Sequence, residues 1–161
     1  MAELFTGREA PDFMLPRDGG GTVRLSDFRG KPVVLFFYPK DDTTSCTTEA
    51  IGFSTRASQF ESAGVVVIGM SPDSVRRHDR FVRKYELSVI LASDEEKSTL
   101  QDYGVWVEKS LYGRKYMGVE RTTLLIDAQG VVRKTWEKVK VPGHVEEVLE
   151  AATALAGGAG V

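Results

Sequence analysis

The chain contains a single cysteine, Cys46, and its neighbours in sequence carry side chains suited to nucleophilic chemistry. The thiolate form of cysteine is the nucleophile, whereas an unperturbed thiol is mostly protonated at neutral pH. Thr43, three residues earlier, is within reach to hydrogen-bond the sulfur or a bound substrate. Glu49, three residues later, would share a helix face with Cys46 and could hold a cation nearby. The spacing therefore indicates a thiolate stabilised by its neighbours.

A predicted strand followed by a predicted helix positions this cysteine. Residues 33–38 form a continuous apolar run, typical of a strand buried on both faces, and Pro39 ends it. One helix ending at Gly64 is then predicted, because inward-facing residues recur three or four apart: Cys46, Ala50, Phe53, Ala57 and Phe60. Free N–H groups and the dipole at a helix start favour an anion. Cys46 is thus either an activated thiol or a small buried apolar residue.

The rest of the sequence predicts an α/β protein. Short strands at Phe13–Leu15 and Thr22–Leu25 predict an N-terminal hairpin, and Ser26–Gly30 a capped turn. Further strands are expected at 65–70, 89–91, 121–127 and 131–136. Helices are expected from Ser71, at 98–103 and at 142–156. Residues 108–118 are expected to form an exposed loop. Strand–helix–strand followed by hairpin–helix is a thioredoxin-like arrangement, with a central mixed β-sheet flanked by helices. We expect one domain over residues 1–161, with a flexible tail at 157–161.

The segment from Phe37 to Ala50 resembles the active-site segment of peroxiredoxins. The family pattern Pro-x-x-x-Thr-x-x-Cys is met by Pro39, Thr43 and Cys46. The Phe-Tyr-Pro-Lys-Asp lead and the Glu-Ala ending resemble the peroxiredoxin Q, or bacterioferritin comigratory protein, subgroup. Residues 103–106, 108–109, 118 and 121–127 resemble the later signature of that subgroup, so the likeness spans nearly the whole chain.

This resemblance implies a peroxidase mechanism and a role for each site residue. Cys46 would attack a hydroperoxide and become a sulfenic acid, with Thr43 supplying a hydrogen bond. Arg121 would lower the pKa of Cys46 and polarise the peroxide. Glu49 would orient Arg121, and Pro39 would shield the sulfenic acid from water. Hydrogen peroxide and organic hydroperoxides are the implied substrates, without a cofactor.

The sequence departs from the subgroup at two places. The subgroup commonly has Thr-Pro-Gly-Cys, whereas this chain has Thr43-Thr44-Ser45-Cys46. Many members carry a resolving cysteine five residues after the reactive one, where this chain has Ile51, and no second cysteine exists elsewhere. We therefore predict a one-cysteine peroxidase whose sulfenic acid is resolved by an external thiol: thioredoxin, glutaredoxin or a low-molecular-weight thiol.

Composition excludes several other classes of protein. A net charge of −2 gives no general attraction to nucleic acid or to anionic membranes. No apolar run is long enough to cross a bilayer, and the first residues lack the pattern of a secretion signal. One cysteine fits a reducing compartment, so we expect a cytoplasmic protein, either a monomer or a weak homodimer.

Other chemistries fit the sequence less well. A thioredoxin needs Cys-x-x-Cys, and positions 43 and 49 are threonine and glutamate. His78 and His144 are isolated without paired ligand spacing, so no metal site is predicted, and Asp41 and Asp42 are expected to complement the dipole of the following helix. A Ser/His/Asp hydrolase lacks its Gly-x-Ser-x-Gly motif. The remaining alternative is a non-enzymatic redox sensor or holdase that uses an oxidisable Cys46.

Overall fold

The computed structural model describes residues 6–157. Its strands are β1 (Met14–Pro16), β2 (Thr22–Arg24), β3 (Val33–Phe37), β4 (Val66–Ser71), β5 (Ile90–Ser93), β6 (Trp106–Leu111), β7 (Arg114–Val119), β8 (Thr122–Ile126) and β9 (Val132–Trp136). Its helices are α1 (Thr44–Thr55), α2 (Ala57–Ser62), α3 (Val75–Tyr85), α4 (Ser98–Asp102) and α5 (His144–Ala156). Apart from Gly157, the expected flexible tail lies outside the described residues.

A five-stranded mixed sheet forms the centre of the fold, with the strand order β5-β4-β3-β8-β9. β3 pairs in parallel with β4 and antiparallel with β8, and β4 pairs in parallel with β5. The predicted N-terminal hairpin is confirmed as the antiparallel pair β1–β2. The central mixed sheet and its flanking helices are therefore as the sequence predicted.

Alternate residues of β3 enter two separate cores, one on each face of the sheet. Val33, Leu35 and Phe37 join the core beneath the N-terminal hairpin and α4. Val34 and Phe36 join the core beneath the other helices. Burial on both faces explains why the β3 sequence is continuously apolar rather than alternating.

A stacked pair of aromatic rings fixes α1 to the sheet. The rings of Phe36 and Phe53 lie 4.6 Å apart, nearly parallel. Gly69 on the neighbouring strand makes room for them, because a Cβ atom there would lie 2.6 Å from Cζ of Phe36. The helix that carries Cys46 is therefore set on the sheet by an aromatic contact.

The predicted long helix after β3 is wrong in one respect, because it breaks at Arg56. Arg56 has φ −101° and ψ 13°, so α1 ends at Thr55 and α2 starts at Ala57. The Arg56 guanidinium binds Glu146 on α5 at 2.9 Å, and Thr55 is a weak helix former. The inward face is nevertheless kept, since Phe53 and Phe60 are both buried, and Gly64 ends the helical segment with φ +77°.

The expected loop at residues 108–118 is also wrong. It is the hairpin β6–β7, exposed as predicted but paired from Trp106↔Val119 to Leu111↔Arg114. Tyr112 and Gly113 both have positive φ, as a two-residue hairpin turn requires. Both faces of the hairpin are largely open to solvent, so the alternation that normally reveals a strand is missing.

Smaller differences concern where elements begin. Ser71 ends β4 rather than starting a helix, and α3 begins at Val75, where the Ser74 hydroxyl accepts a hydrogen bond from the Arg77 amide. The predicted turn at 26–30 begins one residue earlier, as a 3₁₀ turn at Leu25–Phe28. Between residues 6 and 157, no helix is both long and apolar enough to cross a membrane.

Candidate active site

Cys46 is placed as the sequence predicted, in the first turn of α1. β3 ends at Phe37, and residues 38–43 lead into the helix, which begins at Thr44. The Thr43 carbonyl accepts a hydrogen bond from the Thr47 amide at 2.8 Å, so the helical pattern starts directly before the cysteine. The Cys46 side chain is free of disulfides and only 1% exposed.

Arg121 bridges Cys46 and Glu49. Its Nη2 lies 3.1 Å from Cys46 Sγ, and its Nη1 lies 2.7 Å from Glu49 Oε1. Arg121 directly precedes β8, the antiparallel neighbour of β3. Because Phe37 at the end of β3 pairs with Thr122 at the start of β8, Arg121 lies at the same end of the sheet as the start of α1. Cys46 and Arg121, 75 positions apart in sequence, thus form one contact, and three of the five side chains predicted for the site come together.

Burial sets the ionisation of this cluster. Glu49 is completely buried, and loss of solvent raises its carboxyl pKa to about 7, although the Arg121 charge and hydrogen bond oppose the rise. For Arg121, burial lowers the pKa, but the negative charges of Glu49 and Cys46 outweigh it, and the net direction is upward. Arg121 therefore stays positively charged beside the sulfur.

Thr43 and Pro39 belong to the loop that precedes the helix of Cys46. The Thr43 side chain is exposed, and its hydroxyl donates to the Lys40 carbonyl at 3.0 Å. That donor is therefore satisfied within the loop, and the expected hydrogen bond from Thr43 to the sulfur or to a substrate stays a prediction. Pro39 is half-buried between β3 and the loop.

The loop before α1 is anchored by a buried pair that the sequence did not reveal. Asp41 accepts a hydrogen bond from the Tyr38 hydroxyl at 2.6 Å, and its other oxygen lies 2.7 Å from His78 Nδ1 on α3. His78 Nε2 faces the Ala92 carbonyl at 3.0 Å, which can only accept, so this nitrogen carries a proton. Burial lowers the pKa of His78, but the Asp41 carboxylate more than compensates, and the pKa is raised.

Asp73 joins this anchor. Its Oδ2 accepts from the Asp41 amide at 2.8 Å and from the Ser71 hydroxyl at 2.7 Å, and its Oδ1 pairs with Arg77 at 3.0 Å. One ligand atom each of Asp41, Asp73 and His78 lie within 4.8 Å of one another, so these three could hold a metal ion. However, every carboxylate oxygen of Asp41 and Asp73 already has a protein partner, which explains the cluster without an ion.

Asp42 forms a second, exposed anchor. It adopts a left-handed conformation with φ 63°, and its carboxylate binds the Lys84 amine at 2.7 Å and the Tyr85 hydroxyl. Both aspartates were expected to complement the dipole of α1. Instead each is bound to α3, because the chain turns back toward that helix before α1 begins.

His144 and Thr123 are polar residues near the site that sequence reasoning did not assign to it. His144 begins α5, and its Nε2 lies 2.9 Å from Thr123 Oγ1 and 4.0 Å from Glu49 Oε2. Both are buried. The signal available in the sequence was a threonine pair at the start of an otherwise apolar strand, which indicates a polar contact but not its partner.

The fold and site together define a class of protein: a thioredoxin-like domain with one buried thiol at a helix start, in contact with an arginine. The AhpC/TSA family profile matches residues 6–135. The chain belongs to the AhpC/TSA family, and it is a peroxiredoxin, a thiol-dependent peroxidase.

Curated relatives give the particular branch of the family. The chain is 52% identical over 143 residues to the putative peroxiredoxin Bcp of Coxiella burnetii, covering 89% of this chain and 95% of that protein. It is 46% identical over 144 residues to peroxiredoxin Bcp of Bacillus subtilis, covering 89% and 92%. The resemblance to the bacterioferritin comigratory protein subgroup is therefore confirmed.

Solved structures agree with these relatives. The bacterioferritin comigratory protein of Xanthomonas campestris superposes with a TM-score of 0.85 at 38% identity, covering 89% of this chain and 92% of that one. BcpB of Mycobacterium tuberculosis superposes with a TM-score of 0.82 at 33% identity, covering 93% and 97%. The Xanthomonas structure was determined to explain alkyl peroxide reduction, and serine replaces either of two different cysteines in other structures from that organism.

Proposed function

We propose that the protein reduces hydrogen peroxide and organic hydroperoxides through a sulfenic acid on Cys46. The observation that carries this is the 3.1 Å contact between Arg121 Nη2 and the buried Cys46 sulfur. A permanent positive charge at that distance favours the thiolate over the thiol. The reported alkyl peroxide reduction by the Xanthomonas campestris relative supports the organic substrates.

The oxidation step uses the site residues in definite roles. Cys46 thiolate attacks the terminal peroxide oxygen; the S–O bond forms, the O–O bond breaks, and the leaving oxygen takes a proton to give water or an alcohol. Arg121 faces the sulfur and stabilises charge that moves onto the leaving oxygen. Glu49 orients Arg121, and Pro39 limits access of water. Thr43 would turn its hydroxyl from Lys40 toward the peroxide when substrate binds.

Turnover requires a thiol from outside the chain. The sulfenic acid loses its hydroxyl as water when an external thiol attacks the sulfur, giving a mixed disulfide, and a second thiol then releases reduced Cys46. The single cysteine supports this route, because Ile51 occupies the position of the common resolving cysteine. Thioredoxin, glutaredoxin or a small thiol can each supply the electrons.

The proposal also covers the cellular location and the oligomeric state of the protein. A lone free cysteine fits a reducing compartment, which supports a cytoplasmic location. One central sheet with a core on each face supports a single domain. We propose that it works as a monomer or a weak homodimer. A non-enzymatic sensor or holdase is the alternative, and the relatives named peroxiredoxin favour the enzyme.

Stopped-flow mixing tests the proposal. Reduced protein is mixed with hydrogen peroxide, then with each candidate thiol, while the loss of peroxide is followed. We expect rapid oxidation and many turnovers with at least one donor, and no oxidation in Cys46→Ser. One slow oxidation without turnover by any donor would favour the sensor, and peroxide consumption by Cys46→Ser would rule out the nucleophile.

A further inference from the structure

Glu49 has one carboxyl oxygen that the proposed mechanism leaves unexplained. Oε1 binds Arg121, whereas Oε2 is buried and has no hydrogen-bond partner among residues 6–157. A buried acceptor without a partner costs free energy, so its persistence calls for a physical reason. The reason must lie in the groups that surround that oxygen.

His144 is the polar side chain beside Oε2, and its ring is held in place by three other elements. Its Nε2 hydrogen-bonds with Thr123 Oγ1 of β8 at 2.9 Å and lies 4.0 Å from Glu49 Oε2. The ring meets Trp136 of β9 edge-on at 5.8 Å and Phe53 of α1 edge-on at 6.4 Å. These contacts hold the imidazole in an orientation that places Nε2 beside Glu49 Oε2.

We propose that His144 is a positioning residue for peroxide reduction: fixed by Thr123, its ring closes the open side of the Glu49 carboxyl group and so holds Arg121 against Cys46. This deepens the proposed function and rests on Cys46 and Arg121 acting as stated there. Among the described residues, the ring of His144 makes polar contacts with Thr123 and Glu49 and not with the Cys46 sulfur. It acts through Glu49, which is the only described acidic side chain bonded to Arg121.

The charges around this pair determine how it responds to pH. Glu49 faces Arg121 and His144; His144 faces Glu49, Arg121 and, on its own helix, Glu147. Burial and the Arg121 charge lower the pKa of His144 against the opposing effect of Glu147, whose carboxylate also accepts a hydrogen bond from Trp136. His144 is therefore neutral at physiological pH. A neutral ring keeps Oε2 enclosed without adding a second cation that would compete with Arg121 for Glu49.

Two substitutions of His144 should affect the pKa of Glu49 differently. His144→Phe fills the space but makes the surroundings of Oε2 more apolar, so the Glu49 pKa should rise. His144→Gln keeps a polar group near Nε2, which can bond Thr123 or donate to Oε2, so the Glu49 pKa should stay or fall. Val148→Ala is the matched control, because Val148 is buried on the same helix and its apolar side chain cannot hydrogen-bond Glu49 or Arg121.

The experiment is the pH profile, from pH 5 to 9, of the rate constant for Cys46 oxidation by hydrogen peroxide. For His144→Phe we expect oxidation slowed about tenfold at pH 8, because a small displacement of an aligned group has effects of this order or larger. The pKa of Glu49, about 7 in wild type, should also shift upward in the pH profile of this variant. His144→Gln should keep most of the rate, and Val148→Ala should keep the wild-type profile even if it unfolds more easily.

Each outcome is decisive. Wild-type rate and profile in His144→Phe would overturn the proposal, as would equal slowing in His144→Phe, His144→Gln and Val148→Ala, which would indicate a structural role only. Failure of the proposed function is recognised separately: wild-type protein would then oxidise no faster than Cys46→Ser at any pH.

Discussion

At the scale of single residues, Arg121 connects the two ionisable groups of the active site. One arm of its guanidinium faces the Cys46 sulfur and the other binds Glu49. The planar fork of arginine makes both contacts at once, which the point charge of lysine cannot reproduce. The geometry therefore depends on the shape of this side chain as well as on its charge.

Replacing Arg121 should slow oxidation far more than it affects folding. Arg121→Ala removes the charge beside the sulfur, and loss of one such group typically costs about a hundredfold or more in rate. Arg121→Lys should recover only part of that loss. Stopped-flow measurement of Cys46 oxidation checks this, with Arg114→Ala on the exposed hairpin as the control. Oxidation of Arg121→Ala at the wild-type rate would show that its assigned role is wrong.

Thr43 offers a gentler test of the same site. Its hydroxyl donates to Lys40, and we expect substrate to redirect it. Thr43→Ser keeps the hydroxyl and should change the oxidation rate little, whereas Thr43→Val should slow oxidation far more than it lowers the free energy of unfolding. If the two variants oxidise equally fast, the hydroxyl takes no part in the reaction.

Glu49 should make stability depend on pH in an unusual direction. Its folded-state pKa is about 7, above the ordinary value of 4.5, so between these values the folded protein binds more protons than the unfolded chain. Its contribution to stability is complete below pH 4.5 and is lost as the pH rises toward 7, by about 3 kcal/mol. Urea unfolding of wild type and Glu49→Gln across this range tests the prediction. As the pH rises from 4.5 to 7, the free energy of unfolding of wild type should fall relative to that of Glu49→Gln, which lacks the titrating carboxyl group. Parallel pH profiles would contradict the prediction.

At the scale of elements, the active-site loop is tied to α3 by one buried and one exposed contact. The buried tie joins Asp41 to His78, and the exposed tie joins Asp42 to Lys84 and Tyr85. Breaking a buried pair by removing one partner leaves a charge without compensation, whereas an exposed pair contributes little. The two ties should therefore differ greatly in their effect on stability.

We expect Asp41→Asn to lower the free energy of unfolding by about 3 kcal/mol, because His78 then loses its buried counter-ion. Asp42→Asn is the control and should change the free energy of unfolding much less, because solvent screens the exposed pair. Chemical denaturation of both variants gives the comparison. Equal small losses would show that the buried pair does not hold the loop.

The sequence predicted the elements that bury an apolar face and missed those that do not. β3 was found because its buried residues form a continuous apolar run, and the inward face of α1 because its apolar residues recur three or four apart. The hairpin β6–β7 was missed because its stability comes from backbone pairing with both faces exposed. The contacts of His78 and His144 were missed because their partners lie far away in sequence, and only the order of strands brings them together. Cys46 and Glu49 were singled out by their spacing at a predicted helix start, whereas Arg121 was placed only through the family resemblance.

At the scale of the whole molecule, one cysteine dictates the products of oxidation. One equivalent of peroxide should add a single oxygen to Cys46 without any intramolecular disulfide, since no second thiol exists. Excess peroxide should carry the sulfenic acid on to the sulfinic state and inactivate the enzyme, while glutathione should give a mixed disulfide and restore activity. Intact mass spectrometry distinguishes these species. Rapid and complete conversion to a disulfide dimer would contradict the external-thiol route.

The double tie between the active-site loop and α3 also concerns the motions of the protein during its cycle. A thiol that is resolved from outside does not require α1 to unwind toward a distant cysteine, and the ties hold its first turn closed. Amide hydrogens in that turn should then exchange with deuterium only through rare openings, at the same slow rate in the reduced and the sulfenic forms. Asp41→Asn should speed that exchange selectively around α1, leaving the far strand β9 as protected as before.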